Sequence, residues 1–399
     1  MKTSNRTISK EKLDQAVVLL NKHNIDTWMI VTREGTDPSL PLLVGTRSIH
    51  QAVIFLNRHG RHKVVTSVSD KEAYVETELF EEVIIYEASI DDVFLQEYKK
   101  EDPKRFALNI SKDDHLCDGL TLGLYRWLER VLGKEELQKK ETSSEEILKE
   151  LRSVKSTSEL KAMQRAIDLT TDIYEEVFQL IKHGMTEKEI GQLFVEGMKK
   201  RGVTNGLGNP YDPPLVCTVR NGLAHRKPGD YVAEPGDIVI IDFSLKYEDY
   251  VSDIARTCYL LKQGETEPPA DVTAAFEAAF AAITESIEAL LPGKKGYEVD
   301  AVGRACIERH GYPTIRHSVG HQVGRETHDG GTILGPRRTP PRKSVEGTIR
   351  IGEVYAIEPT VIQDEGLPCM LVEENVLVTE NGPKILSKRQ TSLITIPYV

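Results

Sequence analysis

The chain is poor in the features that mark several large classes of protein. It has five cysteines in 399 residues, Cys117, Cys217, Cys258, Cys306 and Cys369. They are scattered and form no CxxC pair, so the sequence carries neither a disulfide framework nor a thiolate zinc site. Each reads as a small buried hydrophobe in a reducing compartment. No apolar run approaches the roughly 18 residues of a membrane span. The polar opening Met1-Lys2-Thr3-Ser4-Asn5-Arg6 has no apolar stretch of a secretory leader, and the expected location is the cytoplasm. Positive charge is not in excess: 51 Lys and Arg stand against 62 Asp and Glu, a formal net charge of −11. No basic face for nucleic acid is expected from that balance. No glycine-rich phosphate loop follows the first expected strand, and there is no internal repeat or low-complexity tract.

What is present divides into two parts. Helical periodicity over 9–22 is followed by strand signals at 27–31, 52–56, 64–66 and 83–86, which predict a small α/β domain over residues 1–150. His50, His59 and His62 read as surface residues there. The charged stretch 133–142 reads as a linker, and Ser143-Ser144-Glu145-Glu146 as a helix start. Residues 151–399 begin with helical patterns at about 158–182 and 186–200. Strands are expected near 215–219, 238–243 and 251–260. An Ala-rich helix over 270–291 reads as core packing, and a further helix spans 299–310. The end is mainly β, at 354–362 and 370–378. The Pro- and Arg-rich piece 335–343 is the most loop-like segment. The fold class expected is α/β (α+β).

One set of residues is out of place against this background. Asp242, Asp253, Glu358 and Glu373 each sit in an apolar or β-branched run that reads as a strand: Ile240-Ile241-Asp242-Phe243, Tyr250-Val251-Ser252-Asp253-Ile254, Tyr355-Ala356-Ile357-Glu358 and Leu371-Val372-Glu373. Acids are seldom buried without a partner. Four of them, with His321 between glycines in the segment 317–324, look like ligands for hard divalent cations. One imidazole with several carboxylates suits manganese, cobalt, zinc or iron better than a thiolate-preferring metal. Asp242 and Asp253 are expected on one hairpin, joined by 245–249. Glu358 and Glu373 are expected on another, joined through Gln363-Asp364-Glu365-Gly366. Two such hairpins facing each other can hold four carboxylates around two ions roughly 3.5–4 Å apart. His225, His317 and His328 are further candidate imidazoles.

These motifs resemble those of the pita-bread metallopeptidases, in the branch of creatinase, aminopeptidase P and prolidase. The match runs through Ile241-Asp242-Phe243, Ser252-Asp253-Ile254-Ala255-Arg256-Thr257, Gly320-His321, His328-Asp329, Ala356-Ile357-Glu358-Pro359 and Val372-Glu373-Glu374-Asn375. The resemblance implies a creatinase/methionine aminopeptidase-like catalytic domain over 151–399, behind a creatinase/prolidase-like domain over 1–150. It implies two divalent metal ions, manganese before cobalt, zinc or iron, held by Asp242, Asp253, His321, Glu358 and Glu373. A water between them would act as a bridging hydroxide. Glu358 would accept its proton, and His328 would stabilise the tetrahedral intermediate or donate to the leaving nitrogen. His225 would hydrogen-bond substrate near the scissile bond. His317 is a further substrate-binding candidate. Tyr211 reads equally as part of the pocket and as a packed turn aromatic. Arg256 is expected to orient a ligand carboxylate rather than touch substrate.

The implied activity is cleavage of the Xaa-Pro bond of short peptides, by an aminopeptidase or a dipeptidase acting as a homodimer or higher homo-oligomer. Two features leave the substrate open. Leu371 stands where aminopeptidase P and prolidase carry an Arg, two residues before the last Glu. The basic piece with Arg337, Arg338, Arg342 and Lys343 reads as a solvated loop before it reads as a carboxylate-binding lid. The alternatives are a pita-bread hydrolase acting on a small non-peptide C–N substrate, as creatinase does, or a non-catalytic binding relative.

Overall fold

The computed structural model describes residues 3–46, 48–222 and 225–398. Met1, Lys2, Arg47, Leu223, Ala224 and Val399 lie outside the described residues, and with them the Met1-Lys2 opening and the Leu223-Ala224 step before His225. The chain divides into two compact units, Met1–Arg152 and Ser153–Val399.

The first unit is built on a six-stranded mixed sheet. Its order is Glu82–Tyr86, Lys63–Ser67, Ala52–Asn57, Thr27–Thr32, Phe106–Leu108, Glu141–Ser143. The central strands are buried along almost their whole length, as expected of strands covered on both faces. Alternate side chains feed two layers. Trp28, Ile30, Ile54 and Val64 pack with Leu13, Ala16 and Leu20 of the helix Thr3–Lys22. Met29, Val31, Phe55 and Phe106 pack with Phe94, Leu124 and Leu128 from two helices not expected from the sequence, Ile90–Glu101 and Leu122–Leu132. Ser89 and Thr121 cap these helices through the N–H groups of Asp91 and Leu124.

Two expectations fail in this unit. The stretch 133–142 is no linker: it forms the helix Lys134–Lys140 and enters the edge strand Glu141–Ser143, which runs parallel to Phe106–Leu108. Its only fully buried anchor is Leu137, so the sequence carries no apolar period there. His62 is not a surface residue. It is 5% exposed, and its Nδ1 accepts the Asn57 N–H at 3.2 Å.

The second unit pairs helices with sheets twice. Ser156 with Glu159, and Thr186 with Glu189, form reciprocal caps at the starts of the helices Thr157–Phe178 and Glu187–Arg201. Ile173, Tyr174, Ile190 and Phe194 of these helices close on Val239, Ile241, Phe243, Leu245 and Ile254 of a long hairpin. Its strands, Ile238–Tyr247 and Tyr250–Leu260, pair antiparallel in a five-stranded sheet that also holds Thr204–Asn205, Leu215–Thr218 and Ile394–Ile396. The connection is tighter than the sequence suggests, because only Glu248 and Asp249 turn the chain. Both have positive φ, 45° and 67°, as a two-residue turn matched to the strand twist requires.

The helices Ala270–Ala289 and Gly296–Arg309 share a second core with Tyr355, Ile357 and Val376. Gly303 lets these two helices approach closely, since a Cβ there would lie 2.3 Å from Ser286 Oγ. The second sheet is ordered Gly320–Gln322, Val354–Ile357, Glu374–Thr379, Gly382–Ile385. The runs expected as single strands at 354–362 and 370–378 are each broken once. Pro359 offers no N–H to a ladder, and the chain changes partner there: Thr360–Val361 pairs with Met370–Leu371 in a separate two-stranded ribbon. No helix among the described residues is long and apolar enough to cross a membrane.

Candidate metal centre

Strand parity aims the acids. Val239, Ile241, Phe243 and Leu245 turn to the first helix pair, so Asp242 and Ser244 point to the opposite side. Asp242 lies across from Ala255, and Ser244 across from Asp253. Asp242 and Asp253 are therefore diagonal neighbours on one face. In the second sheet His321 lies opposite Ala356, which lies opposite Asn375. Tyr355, Ile357 and Val376 turn into the apolar core. His321 takes the other face, together with Glu358 and Glu373 at the strand breaks.

The two sheets are stitched beside these residues. Glu373 N–H donates to the Ala255 carbonyl at 3.2 Å. The Asn375 amide accepts from the Asp253 N–H at 3.0 Å and donates to the Asp253 carbonyl at 2.6 Å. Arg256 donates to the carbonyls of Glu373 at 2.7 Å and Ala255 at 2.9 Å, and its second nitrogen reaches Glu374 Oε2 at 3.2 Å. It thereby holds Glu373 through the backbone.

Within the site, His321 Nε2 lies 3.5 Å from Asp253 Oδ2 and 3.7 Å from Glu358 Oε1. Asp253, His321 and Glu373 each bring a donor atom to a point where all three lie within 4.8 Å of one another. Ser244 donates to Asp253 Oδ1 at 2.7 Å and leaves Oδ2 for the imidazole. Burial pushes Asp253 up to about 7, and burial with the Asp253 charge does the same to Asp242. Burial, then the neighbouring acids, raises Glu358 and Glu373 well above the usual carboxylate range. Asp242 and Glu358 keep 23% and 22% of their side-chain surface open, so solvent reaches the centre from their side. Burial lowers His321 to about 4.

The donor set fits a divalent cation on one observation. His321 Nδ1 faces the Gln322 carbonyl at 3.3 Å. A carbonyl only accepts, so Nδ1 carries the proton and Nε2 presents a lone pair. That lone pair meets carboxylate oxygens across 3.5 and 3.7 Å, an arrangement that repels unless a positive charge is shared among them. Carboxylate oxygens with one imidazole nitrogen suit hard or borderline metals.

The remaining candidates fall into place unequally. The His328 ring lies 4.4 Å from that of His321, tilted by 60°, and burial, then His321, lowers it to about 4. His225 is 78% exposed in its side chain, with Nε2 3.8 Å from Asp242 Oδ2. His317 donates from Nδ1 to the Ser318 carbonyl at 2.7 Å and sets Nε2 against Thr360 Oγ1 at 3.0 Å. Tyr211 is 47% exposed and lies under Lys199 Nζ at 5.5 Å. Among the described residues it makes no hydrogen bond. Leu371 is buried in the second core. Arg337 is bound to Glu346 at 2.7 Å and stacks on Tyr297, while Arg338 and Arg342 are exposed.

Sequence reasoning passed over Ser244, Asn375 and Thr360. The signal for the first two was spacing, since each stands two residues after an acid of the set and so shares its face.

A face of four carboxylates and one imidazole, gathered where two sheets meet, has the donors of a divalent-cation centre. Residues 161–380 match the model of metallopeptidase family M24, and the chain belongs to that family. It is 27% identical over 389 residues to an Xaa-Pro dipeptidase of Pyrococcus horikoshii, covering 97% of this chain and 99% of the relative. An Xaa-Pro dipeptidase structure from Bacillus anthracis superposes with TM-score 0.75 at 22% identity, over 97% of this chain and 100% of the other. An X-Pro aminopeptidase structure from Thermotoga maritima gives 0.72 at 25% identity, over 96% and 99%. The fold is thus the pita-bread fold with a preceding α/β unit, as the motifs implied.

Proposed function

We propose that this chain cleaves the Xaa-Pro bond of short peptides, as an aminopeptidase or a dipeptidase, with two divalent cations. The observation that carries the reading is the His321 lone pair, fixed by the Gln322 carbonyl and turned onto Asp253 and Glu358. The name of the relative matched along 97% of the chain supports the substrate class. Asp242, Asp253, His321, Glu358 and Glu373 are assigned to hold the ions. Manganese is assigned ahead of cobalt, zinc or iron, which the oxygen-rich set supports. When bound, such a pair lowers the pKa of coordinated water towards neutrality and polarises the scissile carbonyl.

The chain's own residues do the rest. Glu358 is assigned as proton acceptor; its N–H is anchored on the Val319 carbonyl at 2.8 Å, which fixes the chain where its carboxylate leaves the strand. His328 is neutral at pH 7, so a ring N–H can donate to the developing oxyanion or the leaving nitrogen. His225, at the open side over Asp242, hydrogen-bonds substrate near the scissile bond. His317 is held by Ser318 through Nδ1 and by Thr360 through Nε2, and it is assigned to the substrate-binding wall. Tyr211 is assigned to the outer wall of the pocket.

Residues 1–150 are assigned as a creatinase/prolidase-like N-terminal domain and 151–399 as the catalytic domain. The chain is assigned to the cytoplasm as a homodimer or higher homo-oligomer. Five free, buried thiols support a reducing compartment, and light scattering reads the assembly. Leu371 favours a second reading, in which the substrate is a small non-peptide C–N compound. This side chain is 8% exposed and apolar, so it offers a substrate carboxylate no guanidinium.

The test loads the protein with manganese and offers Ala-Pro, Met-Pro and Ala-Pro-Ala. Release of proline from the dipeptides marks a dipeptidase, and release of alanine together with Pro-Ala from the tripeptide marks an aminopeptidase. Two bound metals with no turnover of any of these peptides would move the conclusion to the second reading. Failure to bind metal at all would remove the centre itself.

A further inference from the structure

We propose that Glu187 and Arg226 are positioning residues that set His225 over Asp242. The inference deepens the reading above and rests on the role given there to His225. Among the described residues the His225 ring makes no hydrogen bond of its own, and its side chain is 78% exposed. An exposed imidazole without a hydrogen bond keeps its rotamers, so what brings this one within reach of Asp242 is the placement of the backbone that carries it.

Its immediate neighbour is anchored deeply. Arg226 Nη1 donates to Glu187 Oε2 at 2.7 Å, and Nη2 to Glu187 Oε1 at 3.2 Å. Glu187 is fully buried. Its Oε1 also accepts the backbone N–H and the hydroxyl of Thr218, both at 2.9 Å. Its Oε2 also accepts the Gly229 N–H at 2.8 Å. One carboxylate thus takes five donors from two separate segments. Thr218 ends the strand Leu215–Thr218, which pairs with the Asp242 strand so that Leu215 lies opposite Asp242. Arg226 and Gly229 belong to the loop that carries His225. The carboxylate therefore fastens that loop to the strand beside Asp242.

The rest of the loop is drawn to the same helix end. Glu187 N–H donates to the Tyr231 carbonyl at 3.0 Å, and Lys188 N–H to the Gly229 carbonyl at 3.2 Å. These are N–H groups that a helix leaves free in its first turn. The Arg226 guanidinium also stacks over the Tyr231 ring at 4.9 Å. Burial alone pushes the Glu187 carboxyl up, but Arg226 and the N–H groups of Thr218 and Gly229 outweigh it, so the group stays ionised. A planar guanidinium matches both carboxylate oxygens at once, which an ammonium cannot do. The anchor is therefore specific to Arg.

The test is a double-mutant cycle on the full chain loaded with manganese, with a second readout that needs no turnover. Arg226→Lys keeps the charge and loses the fork. It is expected to lower kcat/KM by ~10-fold or more, mainly through kcat, since a misplaced group costs rate before it costs binding. In a His225→Ala background the same change is expected to cost less than ~2-fold, because there is no longer an imidazole to place. Equal losses in both backgrounds, or no loss in the parent, overturn the proposal. The second readout is the His225 ring resonance in metal-free protein labelled with 13C and 15N at histidine, since manganese would broaden it away. Arg226→Lys, and Glu187→Gln as an independent variant, are expected to shift and broaden that resonance while leaving His317 in place. A His225 resonance unmoved by either variant overturns the proposal even if the enzyme turns over no Xaa-Pro peptide. Conversely, a moved resonance with no Xaa-Pro turnover in the parent keeps the anchor and discards only the substrate reading.

Discussion

Replacing Asp253 by Asn should stabilise the protein without metal and destabilise it with metal. The change keeps size and shape. The amide oxygen can stay on Ser244 Oγ, 2.7 Å away, and the new NH2 group then faces the His321 lone pair, which now sees a carboxylate at 3.5 Å. Without cations the acid is held against its preference: burial raises it from 3.8 to about 7. A carboxyl raised in this way contributes stability that is full below its unfolded value and is lost as pH rises through its folded value. Three pKa units correspond to on the order of 4 kcal/mol above pH 7. The other acids of the face recover part of this when one charge is removed, so a net gain of about 2–3 kcal/mol is expected for the metal-free variant at pH 7.5.

The assay is thermal unfolding of the second unit in chelator and in manganese, at pH 7.5 and pH 5. In chelator at pH 7.5 the variant should melt higher, on the order of 5–10 °C for a unit of this size. At pH 5 the gap should shrink to roughly half or less, because the parent acid is then protonated in the fold. In manganese the order should reverse, and turnover should be lost. A metal-free variant that melts below the parent at pH 7.5 would refute the reasoning. Asp253 would then be a structural acid held for its bond to Ser244.

Gly320→Ala should prove severe, because a Cβ there would sit 2.3 Å from the Ala356 carbonyl oxygen. A cost of about 2–3 kcal/mol in melting is expected from such overpacking, with metal content falling alongside; a variant with both unchanged contradicts the pairing of His321 opposite Ala356. Arg256→Lys should weaken metal binding ~10- to 100-fold, as loss of an outer partner commonly does; chelator competition measures it, and an unchanged affinity would free Glu373 from the Arg256 clamp. His62 is held near 4 by burial, below its ordinary value of 6.5. Its contribution is therefore full above pH 6.5 and is lost as pH falls towards 4, on the order of 3 kcal/mol in all. Acid unfolding of the first unit should be correspondingly flatter in His62→Gln, and an identical profile would show that His62 does not drive it.

The ligand candidates were readable because they broke a rule that neighbouring residues obeyed. Asp242 stands between Ile241 and Phe243, and Glu358 follows Tyr355-Ala356-Ile357, so each acid contradicts an apolar strand. Their order along the chain carried the family resemblance. The strand breaks were harder to read. Pro359 was visible, but a change of partner at Thr360 depends on where Met370 arrives from elsewhere. The edge strand Glu141–Ser143 showed no alternation because its side chains are only half covered. His62 lies three residues from the exposed His59, and nothing in Arg61-His62-Lys63 signals that the ring turns inward. The Glu187 anchor was hidden for a different reason. Thr186-Glu187-Lys188-Glu189 reads as a helix start, with Glu189 completing the cap. That the adjacent acid collects donors from Thr218, Arg226 and Gly229 is a fact of three distant segments meeting.

Asn375 ties the second sheet to the backbone of Asp253. Strands joined directly by a ladder stand about 4.8 Å apart. Here a side-chain amide takes the place of a peptide group, pairing with both the N–H and the carbonyl of Asp253. The two sheets thus meet through one backbone bond, Glu373 N–H to the Ala255 carbonyl at 3.2 Å, and two residues further on through this side-chain amide. Gln at this position would lengthen the link by one methylene, and Asp would remove its donor. A change at Asn375 would therefore reach Asp253 through its own peptide groups while every residue of the ligand set stays the same.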